Sequence, residues 1–442
     1  MIDKLKNIIV TILIIFAIVV IVVPIGKKVE HRKNRVVYWY VADKKDDIPF
    51  AAKLFNEIQD SIYIDCVPIP WNEHEKKLLT AVLSEDPPDV VMLVSTVPKW
   101  AARRALVCLE NALDDPEFDS TQFYNALWQE MHYRNKLFAV PAYTASYALF
   151  YNKSMFERNG LNPAKPPKTW QQVKSYSQQI LKRDQNNKIK EIGFIPNYGT
   201  LETSFLMALE LGSTFKQGNK VTLANKEMIK GLNEEISFYD IASLDDINTL
   251  IGGFGYGSQH GFISEKVAMM ILDNTYIDQI KLYNPDLNYG VAEIPSFESR
   301  ETKSSTGSWW YAIPRGADNK KDAWEFIKFA TNRKIQLREV LESKQALFPA
   351  NRLAAKDSLF MNKHFSMKVF DKQMENTESK VLFPLIHDVF WREFSFARER
   401  ALHKIESPAE ALKQAEKTIQ FNLDRAVEYD RYVEKKLPIE QF

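Results

Sequence analysis

Only two of the 442 residues are cysteine, Cys66 and Cys108, which excludes a disulfide-built scaffold. One bridge between them is allowed, and two buried thiols are the alternative. Cys66 ends an apolar strand-like run and Cys108 sits within Leu106-Val107-Cys108-Leu109, settings in which a free thiol packs as a small hydrophobe. An excess of charge is also missing. Lys and Arg total 58 against 57 Asp and Glu, so the net charge of +1 makes no electrostatic case for nucleic acid. The seven histidines, at 31, 74, 132, 260, 364, 387 and 403, form no His-x-x-x-His pair. With no Cys-x-x-Cys either, a zinc site lacks its ligand spacing. Gly252–Gly261 holds five of the fifteen glycines, but Gly255-Tyr256-Gly257 lacks the third glycine of a nucleotide loop. A mobile loop near a cleft and an inert connection are the two readings left for it. Ser258, between Gly257 and Gln259, fails the Gly-x-Ser-x-Gly elbow. Acidic residues are numerous enough that some carboxylates must lie close in space, so a glycosidase pair is unsupported rather than excluded. Repeats, heptads and low-complexity stretches are absent.

What the chain does have begins at its start. Twenty residues between Lys6 and Lys27 carry no charge, and Ile8–Val23 is apolar except for Thr11. As a helix this stretch reaches about 30 Å, the thickness of a bilayer's hydrocarbon. No lipid-attachable cysteine follows and no Ala-x-Ala marks a peptidase cut, so a retained transmembrane anchor is expected, with its linker over residues 1–35. Lys27, Lys28, Arg32, Lys33 and Arg35 outnumber Lys4 and Lys6, and taken literally the positive-inside rule would keep the body in the cytoplasm.

The body is large enough for two lobes, and 45% hydrophobic residues supply a core. Val36–Tyr40 is β-rich. Asp46 and Asp47 offer a cap before Pro49, and Phe50, Ala51, Leu54, Phe55 and Ile58 form a helical stripe. Ser61–Val67 alternates as a strand, Leu78, Leu79, Val82 and Leu83 mark a helix, and Asp89–Val94 after Pro87-Pro88 is a continuous apolar strand. This β-α-β-α-β order predicts a parallel sheet whose carboxyl ends face a ligand. Those ends deliver Trp39 and Tyr40, Pro70 and Trp71, and Ser95 and Thr96. Thr169-Trp170-Gln171-Gln172 and Ser407-Pro408-Ala409-Glu410 are capping-box starts, the second opening a helix striped by Ala411, Leu412, Ala415, Ile419 and Leu423.

These segments resemble the family-1 extracellular solute-binding proteins, the sugar-binding receptors of ABC importers. The resemblance runs from about Val36 to Asp424 through eight blocks in order. They are Leu79–Val91 with its Pro-Asp turn, Phe138–Pro141, Leu149-Phe150-Tyr151-Asn152-Lys153, Pro166–Trp170, Phe262–Met270, Tyr289–Pro295, Trp310–Gly316 and Ala323–Phe326. The resemblance implies a two-lobed α/β periplasmic-binding-protein fold of type II, with three crossings near Pro141–Ala145, Ser304–Ile313 and Phe348–Lys356. Lobe 1 would be 36–141 plus 313–350, and lobe 2 would be 145–304 plus 356–442. Family precedent also places the body outside the membrane despite the basic stretch. The absence of a lipidated cysteine is a departure from the common anchor.

By matching position, the ligand would be lined by Trp39, Tyr40, Trp71, Ser95, Thr96, Tyr143, Thr144, Asn197, Tyr198, Asn274, Tyr276, Trp309, Trp310 and Trp391. Sugars suit such a set, because their C–H faces stack on aromatic rings while hydroxyls meet groups that donate and accept. Each choice competes with packing. One of Trp39 and Tyr40, and one of Trp309 and Trp310, is expected in a core; Trp71 and Trp391 serve either role. Arg352 reads as a surface hinge residue, and Trp100, Trp128, Trp170 and Trp324 as packing. The expected function is hinge-closing capture of a sugar or oligosaccharide for the permease subunits of an ABC importer, without cofactor, metal or catalysis. A tethered sensor ectodomain and a glycosidase or lyase in the same cleft are the alternatives. Polyols and glycerophosphodiesters fit the same architecture.

Overall fold

The computed structural model describes residues 34–42, 47–199, 201–297, 300–305, 307–343, 347–380 and 382–442. The expected N-terminal anchor lies outside the described residues, as does Asp46; among the described residues no helix is long and apolar enough to cross a membrane.

The first part folds as its pattern predicts. β1 (Asn34–Val41), α1 (Phe50–Ile58), β2 (Ile62–Ile69), α2 (His74–Leu83) and β3 (Val90–Leu93) alternate, and both β2 and β3 pair parallel with β1. Pro49 precedes α1 without any side-chain cap, so Asp47 does not supply the one expected. In α2 only Leu78 and Ala81 are buried; Leu79 and Leu83 face outward. The Pro-Pro-Asp turn has a structural reason. Asp89 is buried, and its carboxylate accepts from the N–H groups of Val37 and Asn319, both at 2.8 Å, tying the turn to β1 and to the start of a later helix.

A short helix α3 (Val97–Ala102) follows, and the chain later enters β4 (Val140–Ala145) and β5 (Tyr147–Asn152). These two adjoining strands belong to different sheets. Two-residue β6 (Lys182–Arg183), β7 (Ile189–Phe194), β8 (Val267–Asp273) and β9 (Tyr289–Ala292) complete the second sheet in the order β9-β5-β8-β7-β6. The chain then returns in β10 (Gly307–Ala312) and β11 (Phe348–Pro349), so the first sheet reads β11-β4-β10-β3-β1-β2. Central β5 and β8 are buried along their whole length, as strands covered on both faces must be. Ser146 marks the first passage between sheets. Its N–H donates to Asn274 Oδ1 at 2.9 Å and its hydroxyl to the Phe370 carbonyl at 2.8 Å.

The remaining helices cover the sheets. α4 (Trp170–Ile180) starts on Thr169, whose hydroxyl accepts from the Gln172 N–H, while the Gln172 amide reaches the Lys168 N–H instead of closing the full box. α5 (Thr203–Glu210) packs on the second sheet and α6 (Lys226–Ser237) on α5, and α7 (Lys320–Thr331) and α8 (Arg333–Glu342) belong with the first sheet. α9 (Met367–Glu375) packs on β5. The antiparallel pair α10 (His387–Leu402) and α11 (Pro408–Lys436) closes the chain, α11 with a complete Ser407–Glu410 capping box and its predicted stripe buried. Cys66 and Cys108 are both free.

Candidate ligand-binding cleft

On the first sheet, the alternation of β1 sends Tyr38 and Tyr40 to one face and Trp39 to the other. Tyr38 and Tyr311 pack with Phe326 in the core, and Tyr40 borders a cavity of about 310 Å³ together with Phe50, Met92, Tyr143, Trp309 and Glu339. Glu339 projects into this cavity from α8 with only 3% exposure. Burial pushes its carboxyl up to about 7, and the hydrogen bond it accepts from the Tyr143 hydroxyl at 2.6 Å offsets part of that rise. Trp309 is partly buried against two hydrophobic clusters, the larger of which itself runs from the first sheet into the second.

The second lobe presents Trp391 from α10. Its ring stands edge-on to Phe205, with centroids 4.9 Å apart, at a cavity of about 250 Å³ that Ser305, Lys380 and His387 also line. Ser305 is 4% exposed, and its hydroxyl finds no partner among the described residues. A buried hydroxyl left open at a cavity is what a ligand hydroxyl would complete. Burial pulls His387 down to about 4, so at neutral pH it offers an uncharged imidazole.

Lys99 of α3 reaches Glu75 at 3.2 Å on its own lobe and Asp388 at 3.0 Å on α10. Burial alone would raise Glu75, but the Ser95 hydroxyl and the Lys99 ammonium hold it below the usual carboxylate range. Trp71 stands half exposed after β2, its ring 6.1 Å from that of His74. The Ser95 hydroxyl accepts from Trp100 Nε1 at 2.7 Å.

Tyr40, Tyr143 and Trp309 thus share one cavity and Trp391 borders another, with Trp71 and Ser95 on the side of Lys99. Other positions are occupied differently. Trp39 lies against α2 beside Lys76, Lys77 and Thr80. The Thr96 hydroxyl is buried without a partner among the described residues, whereas Thr144 pairs with the Ser308 hydroxyl at 3.0 Å. Asn197 sits at φ +55°, and its side chain is engaged by the Thr203 N–H and by Glu235. Tyr198 stacks on His260 and accepts from the Gly261 N–H, so the glycine-rich loop is packed beneath it. Asn274 is fully buried at the Ser146 passage, Tyr276 packs on His260, and Trp310 is a core residue at 2% exposure. Of the tryptophans assigned to packing, Trp100, Trp170 and Trp324 are buried, and Trp128 is half-buried beside His132. Arg352 is exposed and pairs with Glu375.

Sequence reasoning missed Lys99, Glu339, Ser305, Lys380 and the His387-Asp388 pair. No motif surrounds them; only the cavities they line and the Lys99–Asp388 contact single them out. Among the described residues no group of His, Cys, Asp or Glu is arranged to hold a metal ion.

Known proteins share this architecture. The sugar-binding protein MalE of Xanthomonas citri superposes with a TM-score of 0.75 at 18% identity, covering 91% of this chain and 99% of that one. CpMnBP1 with mannotriose bound gives 0.73 at 24% identity over 88% of this chain and all of that one. In sequence, the sn-glycerol-3-phosphate-binding periplasmic protein UgpB of Brucella abortus is 25% identical over 377 residues, covering 78% of this chain and 83% of its own. The family model described as bacterial extracellular solute-binding protein matches residues 51–366, and this chain belongs to that family.

Proposed function

We propose that this protein is an extracytoplasmic receptor that captures a sugar or short oligosaccharide between its lobes and delivers it to an ABC importer. The observation motivating this reading is the set of aromatic side chains bordering a cavity on each lobe, Tyr40, Tyr143 and Trp309 at one and Trp391 at the other, with the open Ser305 hydroxyl and neutral His387 beside Trp391. Stacking satisfies the C–H faces of a sugar ring; Ser305, Ser95 and neutral His387 serve its hydroxyls. A ligand touching both lobes stabilises the closed arrangement by its differential affinity for it, and that difference drives hinge closure. The charge-free segment 7–26 serves in this reading as a protein tether that keeps the body at the outer membrane surface near its transporter. Catalysis is not part of the reading. Glu75 and Asp388 are engaged by Lys99, and Glu339 by the Tyr143 hydroxyl, rather than paired as an acid and a base.

Titration of intrinsic tryptophan fluorescence with mannotriose, maltotriose, glycerol and sn-glycerol-3-phosphate tests this directly. At least one saccharide is expected to change emission and raise Tm, as any ligand selective for the folded state does. Trp391→Ala should weaken that saccharide by roughly tenfold or more, the loss of a stacking platform being worth about 1.4 kcal/mol or more. A panel that leaves emission and Tm unmoved, or binds only the phosphate, defeats the sugar reading.

A further inference from the structure

α11 and the tail behind it do more than cover one lobe. In its first half, Ala411, Leu412, Ala415, Ile419 and Leu423 bury into the second lobe beside Phe390 and Phe394, and Gln420 and Glu416 accept from the Val221 and Ala224 N–H groups. The second half leaves that lobe. Asp430, 4% exposed, accepts from Arg104 at 3.0 Å, and Arg104, just after α3 of the first lobe, has a side chain with no exposure at all. Arg134 binds both Asp430 and Glu434 from the β-hairpin at 132–137. Past the helix, the Cys108 N–H donates to the Glu440 carbonyl at 2.7 Å and the Phe442 N–H to the Cys108 carbonyl at 2.9 Å. Arg315 donates to the Pro438 carbonyl at 2.8 Å.

The α3 region is therefore gripped twice from the same helix pair. Lys99 and Arg103 meet Asp388 at the start of α10, and Arg104 meets Asp430 near the end of α11. A hinge motion that separates Lys99 from Asp388 must also break the Arg104–Asp430 contact, bend α11 or peel the tail from Cys108. Stripping Asp430 from a buried guanidinium is the costly step, since it leaves an uncompensated charge.

We propose that residues 424–442 form a latch that holds the lobes in the arrangement seen here, with Arg104 and Asp430 as positioning residues that set ligand affinity. The effect on affinity rests on the hinge-closure reading above; the effect on lobe arrangement does not.

Electron–electron double resonance between spin labels at Leu83→Cys and Leu282→Cys, in a Cys66→Ala, Cys108→Ala background, reports the lobe separation without ligand. The parent should give one narrow distance. Asp430→Asn, and separately removal of residues 437–442, should each broaden or lengthen it while circular dichroism stays native. Mannotriose affinity of these variants should fall roughly tenfold, because the fraction of binding-competent chains drops. Arg104→Lys, which keeps the charge, should retain most of the parent behaviour. Distances equal to the parent in both variants overturn the latch, and lengthened distances with unchanged affinity overturn its role in binding. If mannotriose binds no form of the protein, the distance measurement still decides the latch, and the fault lies with the sugar reading.

Discussion

Glu339 shows how one side chain ties the cleft to solution conditions. In an unfolded chain a glutamate titrates near 4.3, whereas burial raises it here to about 7. Between those pH values the folded protein keeps a proton that the unfolded chain has released. Stability therefore falls as pH rises through this window and levels off above it, by an amount on the order of 3 kcal/mol. Glu210, raised to about 8 by burial despite the hydrogen bond it accepts from Trp170 Nε1, acts in the same direction. Glu339→Gln keeps an acceptor for Tyr143 and removes the titration. Its Tm, followed by scanning fluorimetry from pH 5 to 8, should decline less steeply than that of the parent. None of this was legible in the sequence. Tyr143 belonged to a recognisable strand, but its partner lies 196 positions away on a helix whose local pattern is unremarkable.

At the scale of elements, capping and periodicity spoke clearly where the physics is local. The Ser407–Glu410 box and the stripe from Ala411 to Leu423 appear as read, because a helix start and its buried face depend on residues within a few turns. Exposed Leu79 and Leu83 are where that logic fails, since periodicity cannot say how far a neighbouring layer extends. Gly193 is another such place. A Cβ there would stand 2.3 Å from the Ser177 Cα, so β7 and α4 approach closely only because this residue is glycine. Gly193→Ala should cost about 1–3 kcal/mol in urea unfolding, as overpacking does, while ligand affinity of the folded fraction is retained. The sequence carried no sign of this contact, since it joins two elements that meet only in the folded lobe.

At the scale of the whole molecule, several ion pairs join the first lobe to α10 and α11, and burial separates the roles of two of them. Asp388 is 60% exposed, so its pair with Lys99 is screened, whereas Arg104 and Asp430 are enclosed. Asp388→Asn should therefore change saccharide affinity less than about fivefold, under 1 kcal/mol, and raising salt in the parent should have a similarly small effect. Titration calorimetry at two ionic strengths measures both. A loss as large as that expected for Asp430→Asn would mean that the mouth of the cleft, not the terminal helix, governs closure.

The sequence by itself determined the alternation of strands and helices, the family resemblance, and the aromatic character of the segments that hold Tyr40, Tyr143, Trp309 and Trp391. These follow from side-chain period, turn residues and helix caps, all of which act over short stretches of chain. Only the tertiary structure decided that Trp39 turns to α2, that Asn197 and Asn274 spend their amides on backbone and buried neighbours, and that Lys99 and Asp388 face each other. The same holds for the end of the chain, which reads as one more amphipathic helix until Arg104 and Cys108 are brought beneath it. Partners hundreds of residues apart are chosen by how the lobes pack, and no local pattern encodes that choice.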